Sequence, residues 1–284
     1  MRAVALVTDS TADLDPNRAA QLGVEVVPLF VNFGEKSFRD RIDITRDEFY
    51  ARLGSEAALP TTSQASAATY EQYFGSHVAA GSDVVCLSIS GKLSGTINAA
   101  HAAAAQFPPG TIRIFDSYSV SGGLLLLVTL AASLGAAGES AEAIVAALER
   151  ARATQALYAA LPDLSHAVRT GRVSKAMAML GGMMKISPVI TLDGEGKVAE
   201  YARVRTFARA LETLVDATVT NIGAARDARI AIVHARAPDV AANLRERLLA
   251  ALPAPPSQLE VVETGPAIAV HAGLGAAGIF SLAL

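Results

Sequence analysis

The feature that most constrains this chain is a recurring unit: a short apolar run that ends in a loop rich in Asp, Ser and Thr, followed by a helical segment. Ala3–Thr8 stops at Asp9-Ser10-Thr11, Asp83–Ser90 runs into Ser90-Gly-Lys-Leu-Ser94-Gly-Thr96, and Thr111–Ser117 ends in Asp116-Ser117. Near-continuous apolar strands are buried on both faces, and strands that alternate with helices build a parallel sheet covered on both sides. The helix signals fall where that arrangement needs them. Asp15-Pro16 supplies an N-cap and a proline at the first helical position, and Gly23 ends the helix. Thr45 and Glu48 have capping-box spacing, Thr61–Ser66 after Pro60 caps a helix expected to reach about Ala80, and Ser94–Gln106 forms another. Val24–Asn32 reads as one strand.

The texture changes near residue 153. Two helical stretches, Ser121–Ala137 and Ser140–Arg152, follow one another before the strand-like Gln155–Ala160. A domain boundary is expected there, giving units 1–153 and 154–284. Lys185–Leu192 and Lys197–Arg205 flank Asp193-Gly-Glu-Gly196, a hairpin signal, so the second unit contains antiparallel pairing. Arg229–His234 is a further strand, Asp239–Ala251 a helix and Ala277–Leu284 a closing strand. The expected fold class is two-domain α/β: a Rossmann-like parallel sheet, then an α/β unit with a mixed sheet.

Composition excludes several functions. With 24 basic and 27 acidic residues the net charge is −3, which gives no footprint for nucleic acid or an anionic membrane surface. Leu124–Ala137 is interrupted by Thr129, Ser133 and Gly135 and falls short of the ~18 apolar residues of a membrane span, so a buried helix is expected. The apolar run after Met1-Arg2 is too short for a secretory signal, and a cytoplasmic location is expected. Cys86 is the single cysteine and reads as a core residue. His77, His101, His166, His234 and His271 are scattered, and zinc-protease, Walker and nucleophile-elbow motifs are missing, so no metal, no cofactor and no resident catalytic centre is expected. Gly273–Gly278 matches the dinucleotide fingerprint in form, but too little chain follows it to supply the helix and acidic residue the motif needs.

The hydroxyl-rich loops carry the functional signal. Ligands of open parallel sheets bind outside the carboxyl ends of strands, and helices starting near Ser94 and after Ser63 would aim free amides into that crevice. Hydroxyls and amides together suit a carboxylate or a phosphate; singly, such residues also serve as ordinary caps and turns. Ser94 as the nucleophile of a hydrolase, or the same cleft in another small-anion enzyme, is the alternative, and it requires a base held by a third group. In the second half, Arg169 and Arg172 either reach an anion or lie in solvent. Met177, Met179, Met183 and Met184 either adapt to a flexible ligand or fill core.

Five motifs then occur in order: Thr8-Asp-Ser-Thr-Ala-Asp-Leu14, Thr62-Ser-Gln-Ala-Ser66, Ser90-Gly-Lys-Leu-Ser-Gly-Thr96, Gly171-Arg-Val-Ser174 and His271-Ala-Gly-Leu-Gly275. Together they resemble the DegV family, which includes the fatty-acid-binding subunits of bacterial fatty acid kinase. The resemblance runs from Val4 to the final strand. It implies a carrier rather than an enzyme, with one long-chain fatty acid (about 14 to 18 carbons, each buried methylene worth ~0.8 kcal/mol) and a kinase partner that phosphorylates the carboxylate to an acyl phosphate. It puts the carboxylate on Thr62, Ser94 and the Gly95 amide, with Arg172, Arg205 and His271 in the head-group network or on the surface shown to the kinase. Asp9, Ser10, Ser63 and Ser117 stand in supporting positions. The sequence departs from the family pattern at Ala65 (usually Pro), at Thr170 (usually Gly), and at Ala272 and Leu274 (usually Thr and Pro), which bears on local loop conformation.

Overall fold

A computed structural model describes residues 2–55, 59–173, 187–223, 225 and 227–284. The elements run β1 (Val4–Asp9), α1 (Pro16–Leu22), β2 (Val24–Val27), β3 (Phe30–Phe33), β4 (Lys36–Arg39), α2 (Arg46–Ser55), β5 (Thr61–Ser63), α3 (Ala67–Ala79), β6 (Asp83–Ser88), α4 (Thr96–Ala104), β7 (Ile112–Asp116), α5 (Gly122–Ala136) and α6 (Ala141–Ala153). They continue with β8 (Gln155–Ala160), α7 (Ser165–Arg169), β9 (Ser187–Leu192), β10 (Val198–Val204), α8 (Phe207–Ile222), β11 (Ala228–His234), α9 (Pro238–Ala251), β12 (Gln258–Glu263), α10 (Pro266–Ala272) and β13 (Ala277–Ala283).

The first half builds the parallel sheet that its strand–helix alternation implies, in the order β2-β1-β6-β7. The second half builds a mixed six-stranded sheet, β10-β9-β8-β13-β11-β12, in which only β11 and β12 run parallel. The sheets share an interior because strand side chains alternate faces. Leu6, Val85 and Leu87 of the first sheet and Ala231, Val233, Phe280 and Leu282 of the second all belong to one core that also contains α5 and α6. Their neighbours Val7, Val84 and Cys86 point the other way, toward α3 and α4, while Ile230, Ile232 and Ile279 point toward α8 and α9. The molecule is thus layered helix–sheet–helix–sheet–helix. This explains α5: it is apolar on every side because it has a sheet on either side, and Gly122 to Ala132 are all buried. No helix among the described residues is long and apolar enough to cross a membrane.

Local signals act as the residue chemistry demands. Asp15 accepts from Asn17 N, Pro16 opens α1 and Gly23 closes it with φ +63°. Glu48 accepts from Thr45 N at 2.9 Å while Glu48 N donates to Thr45 Oγ1 at 3.2 Å, completing the capping box. One expected element is corrected. Val24–Asn32 is two strands, β2 in the parallel sheet and β3 in a separate antiparallel sheet, β4-β3-β5. Pro28 lies between them, and a proline has no N–H for a ladder, so the chain leaves one sheet there and enters another. Thr61–Ser63, read only as part of a cap, forms β5. Ser66 alone caps α3, accepting from Thr69 N at 3.1 Å. Ser174, the methionines 177–184 and the expected strand start at Lys185 lie outside the described residues.

Candidate functional site

The first sheet places the site. β2 lies on one side of β1 and β6 on the other, so strand order reverses between β1 and β6, and the loops leaving their carboxyl ends part to form a crevice. Thr11 follows β1, and Ile89, Leu93 and Ser94 follow β6; all four line one cavity. The opposite wall comes from the second sheet, including Leu157, Ile190, Leu192, Val233 and Phe280. Its remaining side is α10, from which Ala267, Ile268 and His271 face inward. The wall is overwhelmingly apolar.

One set of polar groups gathers around Thr62 and Ser94. Thr62, Ser94, Arg172 and His271 all line the cavity. Thr62 Oγ1 lies 2.9 Å from His271 Nε2. Ser94 Oγ is paired with Thr96 Oγ1 at 2.8 Å and accepts from Thr96 N at 3.3 Å. Arg172 Nε donates to Leu93 O at 3.3 Å and its Nη1 to Thr170 O at 2.6 Å, which ties the guanidinium to the loop carrying Ser94. Gly95 begins α4 without a side-chain cap of its own, Thr96 N donates to Ser94 Oγ and Asn98 N to Gly95 O at 2.9 Å, and no bond from the Gly95 or Ile97 amide is found among the described residues. A Cβ at Gly95 would stand 2.5 Å from Gln64 Oε1, so the Thr62–Ser66 and Ser90–Thr96 motifs meet here.

The electrostatics favour a neutral imidazole beside a fixed cation. Burial, reinforced by the positive fields of Arg172 and His166, pushes His271 down to about 3. Its Nδ1 is buried with no hydrogen-bond partner among the described residues, and none of their carboxylates orients this ring. His166 Nδ1 lies 3.3 Å from Val270 O and its ring packs against Gly273, where a Cβ would approach to 3.0 Å.

The other expected site residues fall into three groups. Asp9 is fully buried and accepts from Thr11 N at 3.0 Å, Thr11 Oγ1, Ile89 N at 2.9 Å and Ser88 Oγ at 3.2 Å, so it holds cavity-lining Thr11 from behind. Ser10 Oγ accepts from Leu29 N at 3.1 Å, and Ser117 forms a closed turn with Ser119. Ser63 is exposed and accepts from Asn32 Nδ2 at 3.3 Å. Arg205 is exposed just beyond β10 and is not part of the cavity wall. The wall also contains polar residues the motifs did not single out, namely Ser121, His234 and Thr264, together with Thr11 itself. Thr11 was within reach of sequence reasoning, one position past Ser10 in the same loop. Ser121 and Thr264 carried no local signal. Among the described residues, no group of three or more His, Cys, Asp or Glu is placed to hold a metal ion.

Comparison with known proteins supplies the wider context. A family model described as "Uncharacterised protein, DegV family" matches residues 3–284. A DegV domain-containing protein from Deinococcus radiodurans is 35% identical over 284 residues, covering 97% of each chain. Among solved structures, a DegV family protein from Thermus thermophilus described by its fatty acid binding superposes with TM-score 0.93 at 36% identity, covering 100% of both chains. DegV from Bacillus subtilis, described as a fatty acid binding protein, superposes with TM-score 0.89 at 28% identity, again over 100% of both chains.

Proposed function

This chain belongs to the DegV family, and from that premise we propose that it binds one long-chain fatty acid and presents the carboxylate to a partner kinase for acyl-phosphate formation. The observation that carries the reading is the cavity itself: an apolar wall with Thr62, Ser94, Arg172 and His271 gathered together. A fatty acid has the same division. Its tail gains about 0.8 kcal/mol per buried methylene and supplies most of the affinity, while the hydroxyls, the Gly95 amide and the guanidinium orient the head.

His271 suits this role as a neutral residue. With its proton on Nε2 it donates to Thr62 Oγ1, and the Thr62 proton is then free for a carboxylate oxygen. Leaving a bare Nδ1 acceptor buried is the less costly choice, since an orphaned N–H is rarer than an under-satisfied acceptor. The exposure of Arg172, a cavity-lining residue, keeps the carboxylate end near the surface, as transfer of a phosphoryl group from a partner-bound nucleotide requires. In that step a carboxylate oxygen attacks the γ-phosphorus and the nucleoside diphosphate leaves; the machinery belongs to the partner. We also propose that Arg205, outside the cavity, serves that partner surface.

Hydrolysis through Ser94 is the weaker reading. Its hydroxyl is paired with Thr96, the His271 imidazole is paired with Thr62, and among the described residues no carboxylate bonds that imidazole from behind. The test is mass spectrometry of an organic extract of the natively purified protein. A near-stoichiometric long-chain acid is expected, and addition of the cognate kinase and ATP should convert it to acyl phosphate. A clean blank that persists after incubation with oleate and palmitate would overturn the reading.

A further inference from the structure

The cavity contains a second polar patch that carboxylate binding does not use. Thr11, Ser121 and Thr264 line it, and each is no more than 2% exposed. They come from three separate places: the turn after β1, the start of α5 and the link between β12 and α10. Ser121 N donates to Thr11 O at 2.8 Å, and the Ser121 and Thr264 hydroxyls converge on one oxygen, Asp13 Oδ2, at 2.5 and 2.7 Å. Asp13 Oδ1 takes the Gly265 amide at 2.7 Å, so this carboxylate gathers the patch from behind.

The direction of the hydroxyl protons sets what the patch can recognise. A carboxylate only accepts, so the Ser121 and Thr264 protons go to Asp13, and the Thr11 proton goes to Asp9. A hydroxyl has one proton to give. With that proton committed to a carboxylate, each oxygen retains lone pairs alone, and no donor among the described residues reaches any of the three. The head-group end has the opposite character, with the cation Arg172 lining it.

The patch is also displaced from the head group. Thr264 precedes α10, whose Ala267, Ile268 and His271 line the same wall in turn. His271 lies six residues past the Gly265 cap, about 9 Å along the helix axis at 1.5 Å per residue, with apolar side chains between, and Thr264 immediately precedes that cap. An acyl chain anchored at Thr62 would therefore meet the patch near its middle.

We propose that Thr11, Ser121 and Thr264 form a second recognition point for a hydrogen-bond donor, so that the cavity prefers a long-chain acid hydroxylated near mid-chain over the plain acid; this rests on the fatty-acid reading above. A methylene at the patch leaves the three oxygens with only the bonds they donate to Asp9 and Asp13, whereas a hydroxyl adds a donor to one of them. A ketone brings only acceptors and meets like with like.

The test is calorimetric titration of the delipidated protein with octadecanoic acid, with its derivatives hydroxylated at positions from about carbon 8 to about carbon 12, and with the matching oxo acids. One neutral hydrogen bond corresponds to roughly threefold to tenfold tighter binding of the best hydroxy acid, with the oxo acid weaker than the plain one. In Ser121→Ala and Thr264→Val the ratio of hydroxy to plain affinity should fall toward one. A wild-type ratio of one or less, or an oxo acid binding as well as its hydroxy counterpart, would overturn the proposal, and neither measurement depends on a variant folding. Binding of plain octadecanoic acid with no hydroxyl preference removes the patch alone; no binding of any acid removes the fatty-acid reading with it.

Discussion

The Thr62 hydroxyl oxygen stands 2.9 Å from Nε2 of His271, a residue 209 positions further along the chain. The contact joins β5, in the small antiparallel sheet, to the last turn of α10. Thr62→Val keeps the shape and removes the hydroxyl. Hydrogen bonds to charged groups are worth about 1.5–3 kcal/mol, so the preference for a free fatty acid over its methyl ester should fall by roughly tenfold or more. Affinity for the ester, which depends on the tail, should change far less. Competition binding with an acid–ester pair measures both, and an unchanged ratio would take Thr62 out of the head-group site.

His271 should also govern part of the acid limb of stability. Burial, with Arg172 and His166 adding positive field, lowers its imidazole from 6.5 to about 3. The unfolded chain therefore binds this proton more readily than the folded one between those values. The stability held by the neutral ring is complete above pH 6.5 and is lost as the pH falls toward 3, by several kcal/mol at about 1.4 kcal/mol per pH unit. Urea midpoints recorded from pH 7 down to 4 should fall steeply in the wild type and less steeply in His271→Gln. His234, also lowered chiefly by burial, remains in the variant and retains part of the slope. Identical slopes would mean that His271 is not the group being protonated.

The sequence was most informative where chemistry is local. The capping box at Thr45–Glu48, the Asp15-Pro16 start and the hairpin at Asp193–Gly196 are each set by interactions within a few residues, and the burial of α5 showed in its apolar run. The parallel sheet followed from apolar runs buried on both faces. The break at Pro28 was missed because the residues on either side are equally apolar; only the destination sheet differs. The site was legible in the same uneven way. Thr62 and Ser94 belong to recognisable motifs, but the Asp13 carboxylate gathers Ser121 and Thr264 from 108 and 251 residues away, and no spacing rule reaches that far. The resemblance assigns Arg205 either to the head-group network or to a partner surface, and it is exposed outside the cavity wall.

Gly196 marks where the β9–β10 turn locks onto the first sheet's loops. It has φ +80°, its carbonyl accepts from Ser90 Oγ at 2.8 Å, and a Cβ there would collide with the Ser90 hydroxyl and lie 2.7 Å from Tyr118 Cα. Lys92 and Glu195 pair across the same junction at 3.1 Å, but both are exposed and contribute little. Gly196→Ala adds a left-handed penalty and a clash with backbone, so it should cost about 1–3 kcal/mol by denaturant unfolding. Lys92→Ala should stay within about 0.5 kcal/mol of wild type. Equal effects from the two would show that the turn is held by charge rather than by close approach.

The strongest test of the shared interior is Leu126→Ala. Leu126 is fully buried in the middle of α5, within the core that takes Leu6, Val85 and Leu87 from one sheet and Val233, Phe280 and Leu282 from the other. Removing a large side chain from such a site should cost about 2–5 kcal/mol, the larger part of that range applying where neighbours cannot collapse into the void. Two sheets and a tightly approached Gly122, where a Cβ would lie 2.7 Å from Phe280 Cδ2, leave little freedom to collapse. Because both sheets depend on α5, the loss should be felt by both. Hydrogen exchange should show β6 and β11 amides losing protection together and by similar amounts. If only one sheet loosens, each sheet has a self-sufficient core and α5 serves chiefly the one that responds.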